Sequence, residues 1–226
     1  MKLLLAAATA MELEPTLGFL EARGTTAGPG VFRYGDHSVQ VCITGPGMMA
    51  ATYALTRAVA GGDFDFALQA GVAGSFTQEL EPGELVLVQS EQLGDLGAED
   101  RDRFLDIFEL GLLETDASPF SGGRLECPLH EIPFPYRMIT VNGLTVNTVS
   151  GCAGTVAMRG ERFGCQVESM EGAAFHYVCL REALPFAQIR AISNYVEPRD
   201  RSKWKMKEAV TALNDWLITL LPTLPA

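Results

Sequence analysis

The chain has 226 residues, 47% of them hydrophobic, which is enough to bury a full core without disulfides or metals to hold it. A formal net charge of -11, with no Lys/Arg stripe interleaved with aromatics, repels a phosphate backbone and argues against nucleic-acid partners. The five cysteines (Cys42, Cys127, Cys152, Cys165 and Cys179) form no Cys-x-x-Cys pair; their odd number and scattered apolar surroundings point to reduced thiols and a cytoplasmic location.

Residues 3–8 are the first apolar run. A signal peptide is the rival reading, but the run is at the short end for one and Lys2 alone makes a thin positive region, so a buried strand is favoured. No other apolar run approaches the roughly 20 residues needed to span a bilayer, and no membrane partner is expected. Residues 31–34 and 39 onward, separated by Gly35-Asp36-His37, read as a hairpin. Short apolar-rich runs recur at 39–43, 66–70, 85–88, 144–149 and 187–192, and hydrophobicity that does not strictly alternate suits strands covered on both faces. Helical periodicity marks residues 48–60, 170–183 and 205–221; in the last, Met206, Val210, Leu213, Trp216, Leu217 and Leu220 share a face and Pro222 ends the helix. Residues 95–136 are rich in Gly, Pro and acids, with a short helical stretch at 104–108. Their length predicts a functional lid or an interface element. The alternation predicts a three-layer α/β/α sandwich with a mixed central sheet, in one domain over residues 1–226.

Two glycine clusters follow strands. Thr44-Gly45-Pro46-Gly47-Met48-Met49-Ala50 matches the form of a dinucleotide-binding turn, and three readings stand: a bare strand-to-helix turn, an anion- or sugar-binding loop, and a nicotinamide site. The second is Ala70-Gly71-Val72-Ala73-Gly74-Ser75, and two such loops at strand C-termini can wall one crevice. The sequence has no G-x-S-x-G elbow and no H-E-x-x-H pair; His37, His130 and His176 stand apart and read as surface or packing residues, so no metal or cofactor is expected.

The acids point to a site. Glu12 and Glu14 follow the first strand, and their spacing of two sends only one into a crevice if the chain stays extended. Glu171 opens a helix rich in small residues, either as a first-turn acid complementing the helix dipole or as a site residue. Asn194 follows the strand at 187–192, as a loop residue or a site residue.

Four segments carry a resemblance: Ala10-Met11-Glu12-Leu13-Glu14, Ala70-Gly71-Val72-Ala73-Gly74, Val167-Glu168-Ser169-Met170-Glu171-Gly172-Ala173-Ala174 and Arg190-Ala191-Ile192-Ser193-Asn194. In that order they resemble the purine nucleoside phosphorylase and nucleosidase superfamily. Within it the chain is similar in length and layout to the methylthioadenosine/S-adenosylhomocysteine nucleosidases, which carry Asp where this chain has Asn194. The stretch from Asn194 to Lys205 looks like the futalosine hydrolases, which release hypoxanthine in the alternative menaquinone pathway. An Asn amide can donate two hydrogens to the ring nitrogen 7 and exocyclic oxygen of a 6-oxopurine, whereas an Asp carboxylate suits the amino group of adenine.

The resemblance implies glycosidic cleavage by water, with Glu14 as general base and Glu12 as the weaker candidate. Glu171 would accept hydrogen bonds from the ribose hydroxyls above Met170, and Val72, Gly74 and Cys152 would line the substrate. Arg190 would orient Glu14 or the water, or else belong to a buried structural ion pair. Arg199, Arg201 and Lys203 are candidates to hold the carboxylate-bearing tail of futalosine. The phenylalanine that stacks on the base in related nucleosidases falls near Gly151, so stacking must come from elsewhere. The rivals are an adenine-releasing nucleosidase, a phosphate-dependent phosphorylase, and a non-catalytic nucleoside- or dinucleotide-binding module at Gly45-Pro46-Gly47. The family also implies a homodimer or larger homo-oligomer, and this chain's own apolar residues at 104–120 are candidates for the contact.

Overall fold

Leu3, Leu5 and Ala7 pack into one hydrophobic cluster and Leu4 and Ala6 into another, all fully buried, so the first strand is covered on both faces. The computed structural model describes residues 1–101 and 103–225. In chain order the elements are β1 (Lys2–Ala7), α1 (Ala10–Arg23), β2 (Thr25–Gly28), β3 (Val31–Tyr34), β4 (His37–Ile43), α2 (Met48–Gly61), β5 (Phe66–Ser75) and β6 (Leu85–Leu93). Then come β7 (Gly97–Asp100), β8 (Arg103–Asp106), β9 (Leu125–Glu126), β10 (Ile139–Thr145), α3 (Ala153–Phe163), β11 (Val167–Ser169), α4 (Gly172–Arg181), β12 (Phe186–Tyr195) and α5 (Met206–Leu220).

The central sheet is mixed, in the order β11-β10-β6-β12-β5-β1-β4-β3-β2. Its parallel heart is β4, β1, β5 and β12, and β6 runs antiparallel to β12. β11 also pairs with β5, so β5, β12, β6, β10 and β11 close a ring. Leu13 and Leu20 of α1 pack with Leu213 and Leu217 of α5 on one face; Ala51 and Leu55 of α2 pack with Phe175 and Val178 of α4 on the other. The result is the expected α/β/α layering around a mixed sheet. Among the described residues no helix is long and apolar enough to cross a membrane.

Four of the differences from the sequence expectations bear on the fold. The strand expected at 144–149 lies earlier: β10 is Ile139–Thr145, and residues 146–149 leave the sheet toward α3. Residues 104–108 are not helical: Arg103–Asp106 is a strand paired with β7, and Asp106 Oδ1 then accepts the N–H groups of Phe108 and Glu109, turning the chain. The spacing of the two phenylalanines imitates a helical period, but pairing with β7 satisfies the backbone first. Helices α1 and α3 were not expected. Pro15 inside α1 removes a backbone donor, and Gly154 and Gly160 lower the propensity of α3; packing outweighs both penalties.

Candidate functional site

Because α1 begins immediately after β1, Glu12 and Glu14 do not alternate as on an extended strand. They lie about 200° apart around a helix. Glu12 is buried and Glu14 is exposed on the solvent side of α1, so Glu14, the acid expected at the site from sequence, faces away from the buried groups that Glu12 joins. Glu12 Oε2 accepts the N–H of Thr9 at 2.9 Å and its hydroxyl at 3.0 Å, the hold expected of an acid at the third position of a helix. Glu12 Oε1 accepts the N–H of Val72 at 3.1 Å, tying the carboxylate to β5.

Arg190 is the largest fully buried side chain in the protein. Its Nη1 donates to Val72 O at 3.3 Å and its Nη2 to Gln69 Oε1 at 3.1 Å. A Cβ on Gly71 would lie 2.6 Å from Arg190 Nη1 and 3.0 Å from Glu12 Oε1, so the glycine leaves the room these two groups occupy. Arg190 Nη1 is also 3.9 Å from Glu171 Oε2. Arg190 thus forms a buried ion pair with Glu171 near the carboxylate of Glu12, and it does not reach the exposed Glu14.

Glu171 stands at the start of α4, yet its side chain does not cap that helix. Its Oε1 accepts the N–H of Gly47 at 2.9 Å. Gly45 and Gly47 have φ of 80° and 88°, where side chains are disfavoured, and this left-handed turn presents the amide to Glu171. Burial raises the Glu171 pKa, while Arg190 and the Gly47 amide lower it and Glu12 raises it. Two carboxylates thus flank one guanidinium, an environment with a net negative charge that favours a developing cation.

Asn194 lies where β12 shifts register against β5, opposite Gly74. Its Nδ2 donates to Tyr195 O at 2.8 Å and its Oδ1 accepts the Ser193 hydroxyl at 2.8 Å, leaving one amide hydrogen uncommitted. Asn194 and Gly74 line a crevice with Val149, Ser150, Arg199 and Trp204. Glu12, Arg190 and Glu171 are not among its lining residues; strand β5 connects the two groups, with Val72 holding Glu12 and Gly74 facing Asn194. Two residues along a strand span about 7 Å on one face, a nucleoside-sized interval.

The remaining predicted residues divide. Arg199 lines the crevice, its guanidinium 5.1 Å from the Trp204 ring centre and its N–H bonded to Gly151 O at 3.0 Å. Arg201 stacks on Trp204 at 5.9 Å outside the crevice lining, and Lys203 is exposed and paired with Glu197 at 2.8 Å. Cys152 is exposed at the start of α3 and lines a neighbouring hollow of about 550 Å³ with Asp95 and Arg159, which shares only Val149 with the crevice. Met170 is half-buried between β11 and α4. Trp204 and Tyr195 are the aromatic residues that line the crevice, and neither was singled out from sequence. The signal for Trp204 was its position, ten residues beyond Asn194 and before the last helix.

The sequence profile of the phosphorylase superfamily matches residues 24–222. The chain belongs to the phosphorylase superfamily. It is 34% identical to the futalosine hydrolase of Streptomyces coelicolor over 99% of this chain and 97% of that protein. It is 33% identical to the futalosine hydrolase of Thermus thermophilus over 75% of each chain. Among solved structures, S-adenosylhomocysteine nucleosidase from Streptococcus pyogenes, in complex with 5-methylthiotubericidin, superposes with a TM-score of 0.79 at 19% identity, covering 100% of this chain and 98% of that one. The native futalosine hydrolase of Helicobacter pylori also gives 0.79, at 16% identity, covering 99% and 98%. These two likenesses establish a shared fold.

Proposed function

We propose that this superfamily member hydrolyses the N-glycosidic bond of futalosine and releases hypoxanthine. The observation that carries the reading is a buried carboxylate, Glu12, tied to β5 two residues from the glycine that faces a carboxamide, Asn194. The futalosine hydrolase of Streptomyces coelicolor, similar along nearly the whole chain, supports the same substrate.

Cleavage leaves positive charge on the sugar and electrons on the departing base. Glu12 would take a proton from water as it attacks the anomeric carbon, its orientation fixed by Thr9 and Val72. Glu171 would accept hydrogen bonds from the ribose hydroxyls, and its charge with that of Glu12 would favour the cationic sugar. Arg190 would keep both carboxylates in place. Asn194 would donate to the oxopurine, presenting its second hydrogen as the bond to Tyr195 O is exchanged for the base. Trp204 supplies an aromatic surface for stacking in place of the missing phenylalanine near Gly151, and Arg199 is the cation at the crevice best placed for a carboxylate-bearing tail.

A phosphorylase would place phosphate where water attacks. The Glu12 carboxylate repels a phosphate dianion there, which favours water. Incubation with futalosine, inosine and methylthioadenosine, each with and without phosphate, followed by chromatography for free base, tests the reading. Hypoxanthine released fastest from futalosine without phosphate supports it; release only with phosphate, or fastest from methylthioadenosine, overturns it.

A further inference from the structure

We propose that Glu91 is a positioning residue that acts through Thr145 and the first turn of α4 to hold Glu171 at the sugar subsite. The proposal rests on the role given to Glu171 above.

Glu91 lies on β6 and is completely buried. Its Oε1 accepts from Gln188 Nε2 on β12 at 2.9 Å, and its Oε2 accepts from the Thr145 hydroxyl on β10 at 2.8 Å. Thr145 Oγ accepts in turn from the N–H of Ala173 at 2.7 Å. A threonine hydroxyl has one hydrogen; given to Glu91, it leaves the lone pairs for Ala173, so the chain of bonds has a fixed direction. The Ala173 amide is one of the first-turn donors that a helix cannot satisfy internally, and the relay couples it to a carboxyl group. Glu171 is the residue immediately before this turn.

Space has been left for this carboxyl. A Cβ on Gly172 would lie 1.9 Å from Glu91 Oε1, and one on Gly143 would lie 2.5 Å from it. Among the described residues no Lys or Arg is in salt-bridge range of Glu91, so its bonds are to the helix support and to Gln188. The groups that face it are Arg190 and Gln188 on β12, Glu171 at α4 and Cys165 before β11, with His176 of α4 against Gln188.

Burial pushes the Glu91 pKa up to about 7, against hydrogen bonds from Gln188 and Thr145 and the charge of Arg190, with Glu171 pushing it further up. Burial holds His176 down at about 4 and Cys165 up at about 11, so both are neutral where Glu91 titrates. Both bonded partners donate, which matches the ionised form of Glu91. Its hold on α4 therefore strengthens as pH rises through about 7.

The test compares wild type, Glu91→Gln, Thr145→Val and the double variant. Base release from the nucleoside that wild type cleaves fastest is followed between about pH 5.5 and about 9. The expected result is a wild-type kcat/KM that rises through about pH 7, a limb absent from Glu91→Gln. KM should rise about tenfold in each single variant, with no further loss in the double. A Glu91→Gln enzyme with wild-type KM and an unchanged limb, or losses that add in the double variant, overturns the proposal. Hydrogen exchange at the Ala173 amide gives a readout independent of activity: it should accelerate about tenfold in both single variants. If wild type releases no base, the functional reading fails while exchange still decides the relay; equal protection in wild type and Glu91→Gln overturns it.

Discussion

Arg190 Nη1 and Glu12 Oε1 both border the space that a side chain on Gly71 would fill, at 2.6 Å and 3.0 Å from its Cβ position. The glycine is thus required by close approach, since no positive φ marks it. Gly71→Ala should push the two charged groups apart, lowering kcat/KM at least tenfold and stability by about 1–3 kcal/mol. Steady-state base release and urea unfolding check this; wild-type values for both would mean that the space is not needed.

Asn194 sets the expected choice of base. Replacing its amide by a carboxylate in Asn194→Asp removes the donors for a 6-oxopurine and adds an acceptor for the adenine amino group. The ratio of hypoxanthine to adenine release should fall by about 100-fold. Paired assays on inosine and methylthioadenosine measure the ratio, and an unchanged value would take Asn194 out of base recognition.

Glu91 and His176 give opposite pH dependences of stability. Glu91 is raised from 4.5 to about 7, mainly by burial, so it contributes stability that is full below 4.5 and is lost as pH rises through about 7. His176 is lowered from 6.5 to about 4, again mainly by burial, so stability is lost as pH falls from 6.5 to 4. Each amounts to about 3 kcal/mol, and between pH 4.5 and 6.5 they largely cancel. Glu91→Gln removes one of the pair, so its melting temperature should fall further below that of wild type at pH 5 than at pH 8. A gap that does not depend on pH would contradict the assignment.

Much of the fold can be read from local pattern because its strands are covered on both faces. The run at residues 187–192 needs little context to be placed at the centre of a sheet, and β12 includes it. The site is less accessible to that method. Glu12 and Glu14 are indistinguishable by charge and neighbourhood, and choosing between them depends on whether the chain is helical from Ala10, which Pro15 obscures. Glu91 falls beyond the apolar run at 85–88, in a polar stretch that gives no sign of a buried strand. Its burial comes from three strands and a helix meeting around it, a tertiary fact with no local signature.

The face between α2, α4 and residues 107–120 is apolar. Met49, Tyr53 and Leu112 are 86%, 72% and 73% exposed, beside a groove of about 270 Å³ that includes Leu113, Phe120 and Tyr177. Exposed apolar surface of this kind favours self-association, and a homodimer or larger assembly is expected. Light scattering should give at least twice the chain mass of 24.4 kDa, and Tyr53→Lys with Leu112→Lys should give the monomer. A monomeric wild type would contradict the assignment of this face.

The central claim is that an inward-facing acid on the first helix activates water. Phosphate-free hydrolysis of futalosine by wild type, Glu12→Gln and Glu14→Gln tests it most directly. Loss of a general base should lower kcat by about 100-fold to 10,000-fold in Glu12→Gln, while Glu14→Gln stays within about twofold of wild type. An active Glu12→Gln enzyme alongside an inactive Glu14→Gln enzyme would contradict the account.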